Sequence, residues 1–195
     1  LGNPPFGHSG EKAIATYFSE GKGMVLKSQL SSMEWEDFTH FEGNANAFRL
    51  LTHQFQGRRK GGFVMTYSTL ASIVKYPFPS ILAGKKPKFG FFTTEINDYI
   101  TIAEELGIKR LSQEGEPIKY ARHPLVFLVE AADDICYQMM DIEDAYKLKL
   151  LTPRETKELY QLFLDEKKNE RVDEVFSLVT DENEQIDYLR ATIIG

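Results

Sequence analysis

Cysteine is almost absent from this sequence, which has one, Cys136, among its 195 residues. A single cysteine excludes a disulfide within the chain and is typical of reducing compartments, so we expect a cytoplasmic location. Its place in an apolar stretch predicts that it fills space in the core, as free cysteines commonly do. No apolar run approaches the length of a membrane span, so we expect no membrane partner.

An excess of basic residues is also lacking. The chain has 23 Lys and Arg against 29 Asp and Glu, a net charge of −6, which disfavours a general nucleic-acid footprint. Basic side chains do lie near aromatic ones in two segments, and such a mixture can track a single nucleic-acid strand. The residues concerned are Arg58, Arg59, Lys60, Lys85, Lys86 and Lys88 with Phe89, Phe91 and Phe92. Single-stranded DNA therefore stays an alternative partner.

Helical periodicity dominates what is present. Helices are predicted over 10–20, 41–55, 66–76, 94–106, 120–150 and 181–194. Another begins at Thr152, where Pro153 and Glu155 complete a capping signature. Residues 24–30 favour a strand or hairpin arm. The prediction is an all-α fold with little room for a sheet.

The predicted helix over 120–150 carries acids inside an apolar pattern. Asp133, Tyr137 and Asp141 are spaced four apart, which stacks them on one helix face about one turn, roughly 6 Å, from each other. Acids in an apolar helix are usually paired, hydrogen-bonded or metal-bound. Two plainer interpretations stay open: Asp133 is a solvated acid, or Tyr137 and Asp141 pair against a neighbouring loop.

A Gly- and Pro-rich opening loop carries His8 and, three residues later, Glu11. Either His8 is an ordinary surface histidine, or the carboxylate orients the imidazole for general acid or base work. Lys75, at a predicted helix C-terminus, either stabilises the helix dipole or offers a charge to phosphate.

Five separated blocks of the sequence carry a family resemblance. They are LGNPPFGHSGE at 1–11, FEGNANAFR at 41–49, TYSTLASIVKYP at 66–77, KFGFF at 88–92, and the segment 122–144. In this order they resemble the HD-domain deoxynucleoside triphosphate triphosphohydrolases, the dGTPase family. The resemblance covers essentially the whole chain. It implies an HD-domain-like helical fold and metal-dependent hydrolysis of dGTP, or another dNTP, to deoxynucleoside and tripolyphosphate.

The resemblance also implies site residues. It makes Asp133 the last ligand of a divalent metal, Mg²⁺ or Mn²⁺, and puts Tyr137 and Asp141 under the deoxyribose, where the ring would exclude a 2′-hydroxyl. It puts His8 and Glu11 beside the α-phosphate. The remaining implied residues are Lys75 on the triphosphate, Tyr76 near the sugar or base, Asn3 as a polar site residue, and Glu42 and Asn44 in support.

In that family the His-Asp pair would fall immediately before Leu1, and another metal-binding His further upstream. We therefore expect residues 1–195 to be a single, N-terminally truncated HD-type domain, with the other metal ligands outside it. Such a piece is expected to be inactive alone and its parent to form a homo-oligomer. The alternative from another class is a non-catalytic nucleotide-binding regulatory module.

Overall fold

A computed structural model describes residues 1–57, 61–84 and 87–194. In these residues the chain forms nine α-helices and no β-strand, apart from two isolated bridges, so the all-α prediction is confirmed. The helices are α1 Gly7–Ser19, α2 Ser32–Thr39, α3 Gly43–Thr52, α4 Tyr67–Ile73, α5 Ile96–Glu105, α6 Leu125–Lys147, α7 Pro153–Gln161, α8 Glu166–Leu178 and α9 Glu182–Ile194. Short 3-10 helices cover Lys22–Gln29, Ser80–Leu82 and Thr93–Glu95.

The chain divides into two compact units, Leu1–Val129 and Glu130–Gly195, and α6 begins in the first and continues into the second. The single partial domain predicted for residues 1–195 stays a prediction. None of the helices in the described part of the chain is both long and apolar enough to span a membrane.

The core of the first unit forms around aromatic side chains from α3, α5 and the loop before α5. Tyr99 stacks on Phe91 with ring centroids 4.7 Å apart and meets Phe48 edge-on at 5.9 Å. A second cluster joins Ala45, near the start of α3, to Phe89 and Phe92. These contacts fix the start of α3 against the segment that contains residues 88–92.

Two buried acids connect the loops of this unit. Asp37 of α2 accepts hydrogen bonds from Ser80 Oγ at 2.6 Å and from the Thr93 backbone N–H at 2.7 Å. Glu95 accepts from Arg49 Nη1 at 3.2 Å and from Thr94 Oγ1 at 2.8 Å. Burial raises the pKa of both carboxyl groups, although these hydrogen bonds act in the opposite direction.

Two local predictions were wrong. Residues 22–29 form a 3-10 helix, not a strand, because Met24, Val25 and Leu26 are consecutive and exposed and do not alternate between two faces. The long helix begins at Leu125, not at residue 120, since Tyr120 is held in an extended bridge with Arg110.

The second unit packs α7, α8 and α9 around a small core. Tyr160 is fully buried and its hydroxyl donates to the Met139 carbonyl at 3.2 Å. Glu143 of α6 accepts hydrogen bonds from Lys147 Nζ at 2.5 Å and from Arg190 Nη1 at 2.8 Å. The Lys147 hydrogen bond and the Arg190 charge outweigh the effect of burial and lower the pKa of Glu143.

Most of α6 is exposed, so the prediction that Cys136 fills the core is wrong. Between Ala131 and Met140, Met139 is the one buried residue, because the core of the second unit touches the helix there. Ile135 and Met140 remain 57% and 56% exposed. An apolar pattern predicted the helix correctly but not what covers it.

Candidate functional site

A buried carboxylate caps the N-terminus of α3. Glu42, 1% exposed, accepts hydrogen bonds through Oε2 from the backbone N–H groups of Asn44 at 2.7 Å and Ala45 at 3.3 Å. Its Oε1 accepts from Asn44 Nδ2 at 2.7 Å. The first N–H groups of a helix have no partner within it, and an acid there also meets the positive end of the helix dipole. Glu42 and Asn44, which were predicted as supporting residues, therefore organise the start of α3.

Lys88 neutralises this carboxylate from a distant part of the chain. Its Nζ lies 2.6 Å from Glu42 Oε1, and its side chain is 28% exposed. Burial by itself lowers the pKa of Lys88, but the hydrogen bond and charge of Glu42, with the charges of Glu11 and Tyr76, outweigh it. The pKa is therefore raised above its ordinary value.

A second carboxylate, Glu11, reaches the same helix end from α1. Its Oε1 accepts from the Gly43 backbone N–H at 2.9 Å, and its Oε2 lies 2.9 Å from His8 Nδ1. The side chains differ sharply in exposure, 11% for Glu11 and 86% for His8. The buried Glu11 carboxylate, which takes part in two hydrogen bonds, thus orients the exposed His8 imidazole. The Nε2 of His8 is left for another molecule. The predicted pairing of His8 with Glu11 is present.

The opening loop lies directly on α3. Asn46 Nδ2 donates to the Gly2 carbonyl at 2.7 Å. A Cβ on Gly43 would come within 2.5 Å of Asn3 Oδ1 and 2.8 Å of Glu11 Oε1, so both side chains crowd the same helix residue. Gly2, with φ of +83°, could not carry a side chain, because a Cβ there would meet the Gly43 carbonyl at 2.3 Å. Asn3 therefore joins the His8 and Glu11 group.

Two cations meet at one aromatic ring. Lys75 Nζ lies 5.9 Å and the Arg122 guanidinium carbon 5.7 Å from the Tyr76 ring centroid. Arg122 also lies 5.9 Å from the Phe127 ring. The Tyr76 phenol in turn acts electrostatically on Lys88. The two predicted substrate residues on this segment, Lys75 and Tyr76, thus form one group with Arg122.

Comparison with known proteins gives a consistent result. The sequence is 45% identical over 167 residues to a deoxyguanosinetriphosphate triphosphohydrolase-like protein of Pseudomonas aeruginosa. It is 40% identical over 162 residues to one of Synechocystis, and 32% identical over 176 residues to a deoxyguanosinetriphosphate triphosphohydrolase of Yersinia enterocolitica. These matches cover 82%, 77% and 78% of the chain.

The chain matches the deoxyguanosinetriphosphate triphosphohydrolase family as a segment of it. It spans 36%, 36% and 34% of the length of these three relatives. No family model matches the chain. The family resemblance expected from the five sequence blocks is therefore confirmed.

Three more of the predicted site residues lie on α6. Asp133, Tyr137 and Asp141 are all exposed, and the continuous helix puts their four-residue spacing on one face, as predicted. The sequence also predicts that these three residues line one wall of a cleft and that His8 faces them. His8 belongs to the first compact unit and the three residues to the second, so this stays a prediction.

In the described ranges no three His, Cys, Asp or Glu side chains cluster closely enough to hold a metal ion. Asp133 is therefore a single candidate ligand, and the described residues do not by themselves form the divalent site that the family resemblance implies.

The nucleic-acid alternative loses its aromatic residues. Phe89 and Phe91 are fully buried and Phe92 is 8% exposed, so they belong to the core and cannot stack on bases. Lys88 is engaged with Glu42. The other basic residues of that hypothesis, Arg58, Arg59, Lys60, Lys85 and Lys86, lie outside the described residues.

Sequence reasoning missed the contact of Lys88 with Glu42 and that of Arg122 with Tyr76. Glu42 and Lys88 are 46 residues apart in the chain, and no local pattern links them. Lys88 stood out only as one basic residue among several. Arg122 was visible as part of a family block, but its approach to Tyr76 depends on the fold.

Proposed function

We propose that the protein containing this chain hydrolyses dGTP, or another dNTP, to the deoxynucleoside and tripolyphosphate. The observation that supports it most is the pairing of a buried, anchored carboxylate, Glu11, with an exposed imidazole, His8, at 2.9 Å. A carboxylate fixed by a backbone N–H holds the ring in one orientation, and such an arrangement suits proton transfer at neutral pH. The family match supplies the substrate class.

In this proposal His8 moves the proton that hydrolysis at the α-phosphate requires, and Glu11 orients it. Nδ1 faces Glu11, so Nε2 is the nitrogen that meets the reacting oxygen. Asn3 contributes a polar group beside this pair, and Glu42 with Asn44 keeps the start of α3 in place. General acid or base help of this kind typically contributes about 10²–10⁴-fold in rate.

Lys75 and Arg122 bind the phosphates in this proposal. Both cations lie within 6 Å of one ring, so together they offer a concentrated positive charge beside Tyr76. Arginine binds phosphate oxygens in a bidentate manner and lysine as a point charge. Tyr76 then packs near the sugar or base.

The residues of α6 contribute the sugar contacts. Tyr137 is 56% exposed, so its ring is accessible for packing on C2′ of a deoxyribose and for excluding a 2′-hydroxyl. Asp141, one turn further on, accepts a hydrogen bond from the 3′-hydroxyl.

We further propose Asp133 as one ligand of a divalent metal, Mg²⁺ or Mn²⁺. Such an ion, when bound, supplies Lewis-acid chemistry and lowers the pKa of its water. Asp133 alone is not a site, because a hard divalent cation takes six or more oxygen ligands and one carboxylate holds it weakly. The roles given to His8, Glu11, Lys75 and Arg122 do not depend on this assignment.

Product analysis on the full-length protein tests the proposal. With dGTP, the other dNTPs and GTP as substrates, and Mg²⁺ or Mn²⁺ present, ³¹P NMR distinguishes tripolyphosphate from pyrophosphate and inorganic phosphate. We expect tripolyphosphate and deoxynucleoside in equal amounts, with GTP a poor substrate. Binding of dNTPs without any turnover would overturn the proposal in favour of a regulatory nucleotide-binding module.

A further inference from the structure

We infer that Lys88 is a positioning residue for the proton-handling pair: by holding Glu42, it fixes the first residues of α3 and thereby the Glu11 carboxylate that orients His8. This inference rests on the proposed function for its kinetic consequence, but its structural half stands on the contacts alone. In this assignment Lys88 does not contact the reacting atoms.

Negative charge is concentrated at the N-terminus of α3. Glu11 and Glu42 have side chains 11% and 1% exposed and bind the N–H groups of consecutive residues, Gly43 by Glu11, and Asn44 and Ala45 by Glu42. Two carboxylates this close disfavour each other at low local dielectric. The partial positive charge of a helix N-terminus, about half an elementary charge, balances only part of this. Lys88 adds a full positive charge at 2.6 Å from Glu42.

A continuous chain of short contacts joins Lys88 to His8. Lys88 Nζ meets Glu42 Oε1, and Glu42 is followed directly by Gly43. The Gly43 N–H meets Glu11 Oε1 at 2.9 Å, and Glu11 Oε2 meets His8 Nδ1 at 2.9 Å. Any displacement of Glu42 moves the next N–H along the backbone and so disturbs the bond that anchors Glu11.

The neighbouring residue Phe89 anchors the backbone of Lys88. Phe89 follows it and is fully buried, and its ring lies 5.6 Å edge-on from Phe92 in the cluster that includes Ala45 of α3. The backbone at residue 88 is therefore fixed relative to the helix whose end Lys88 serves. A lysine held in this way acts as a fixed structural charge, in contrast to one that follows a substrate.

The kinetic test compares Lys88→Met, Lys88→Arg and the control Lys119→Met in the full-length protein. Lys119 is a suitable control because its ammonium lies over the Phe78 ring, at 5.7 Å, and not on the two carboxylates. We expect Lys88→Met to lower kcat for dGTP at least about tenfold, the loss typical of removing a hydrogen bond to a buried charge, with KM changed less than about twofold. Lys88→Arg, which keeps the charge, should recover most of the loss. A raised KM with unchanged kcat would make Lys88 a substrate contact and overturn the inference, as would a Lys88→Arg protein no better than Lys88→Met.

A second readout does not depend on activity. Hydrogen exchange of the Gly43, Asn44 and Ala45 amides should accelerate in Lys88→Met and stay at the wild-type rate in Lys119→Met. Should Lys88→Met not fold, Lys88→Gln, which keeps a donor but not the charge, takes its place in both measurements. If the wild-type protein hydrolyses no dNTP, the proposed function fails while the exchange result still decides the positioning role. If the wild type is active and the exchange rates do not change, the inference fails alone.

Discussion

Replacing Gly43 by Ala disturbs the site through one added methyl group. The new Cβ would lie 2.5 Å from Asn3 Oδ1 and 2.8 Å from Glu11 Oε1, both closer than real side chains tolerate. Both atoms are the ends of side chains and can move aside. The helix therefore still forms, but Glu11 must leave the Gly43 N–H that it accepts from at 2.9 Å.

The magnitude follows from two effects. Overpacking typically costs about 1–3 kcal/mol, and it falls at the low end here because side-chain ends can yield. Loss of a hydrogen bond to a charged group costs about 1.5–3 kcal/mol. We expect the Gly43→Ala variant to lose about 2.5–4 kcal/mol of unfolding free energy, and its turnover of dGTP to fall more than about tenfold because His8 loses its oriented partner.

The assay measures the urea midpoint and dGTP turnover of Gly43→Ala beside the matched variant Gly84→Ala in the full-length protein. Gly84 is exposed, and a Cβ there would meet nothing within 4 Å, so the control adds the same methyl group without a contact. A Gly43→Ala protein that equals Gly84→Ala in both stability and turnover would refute the reasoning, since the crowding at Gly43 would then have no consequence.

Three further predictions concern other parts of the chain. Arg122→Met should raise KM for dGTP about tenfold or more, the loss of a charged hydrogen bond, and steady-state kinetics showing an unchanged KM would exclude a phosphate contact. Tyr137→Ala should relax discrimination against GTP more than it lowers dGTP turnover; an unchanged ratio of the two rates means that the ring does not read the sugar. Glu143→Gln should cost about 1 kcal/mol of unfolding stability at pH 7. Because Lys147 and Arg190 lower the pKa of Glu143, its contribution is present above the ordinary value of 4.5 and disappears as pH falls through the lowered one. Denaturant unfolding over a series of pH values that falls from 7 to well below 4.5 checks this, and a loss that stays constant over the whole series would contradict the ion-pair explanation.

Local chemistry explains which elements could be predicted. At α7, Thr152, Pro153 and Glu155 carry the whole capping signal within four residues, and the structure shows the reciprocal box. The pairing of His8 with Glu11 was also predictable from residues close together in the chain, although His8 was placed on a loop. The structure begins α1 at Gly7, so His8 and Glu11 lie three residues apart on one helix, where such side chains meet.

Contacts between distant residues explain what could not be predicted. Lys88 contacts Glu42 and Arg49 contacts Glu95, and the two partners are 46 residues apart in each pair. Neither pair therefore produces a periodic pattern in the sequence. The solvent exposure of the α6 side chains could not be predicted from the sequence either. The apolar run around Cys136 indicated a helix, but burial depends on which other elements pack against it.

The measurement closest to the central claim is tripolyphosphate release from dGTP by the full-length protein carrying His8→Ala, beside Ser9→Ala as a matched neighbour. If an oriented His8 moves the proton, the rate falls about 10²–10⁴-fold in His8→Ala and stays near wild type in Ser9→Ala, with dGTP binding retained in both. Wild-type release of tripolyphosphate by His8→Ala would contradict the account.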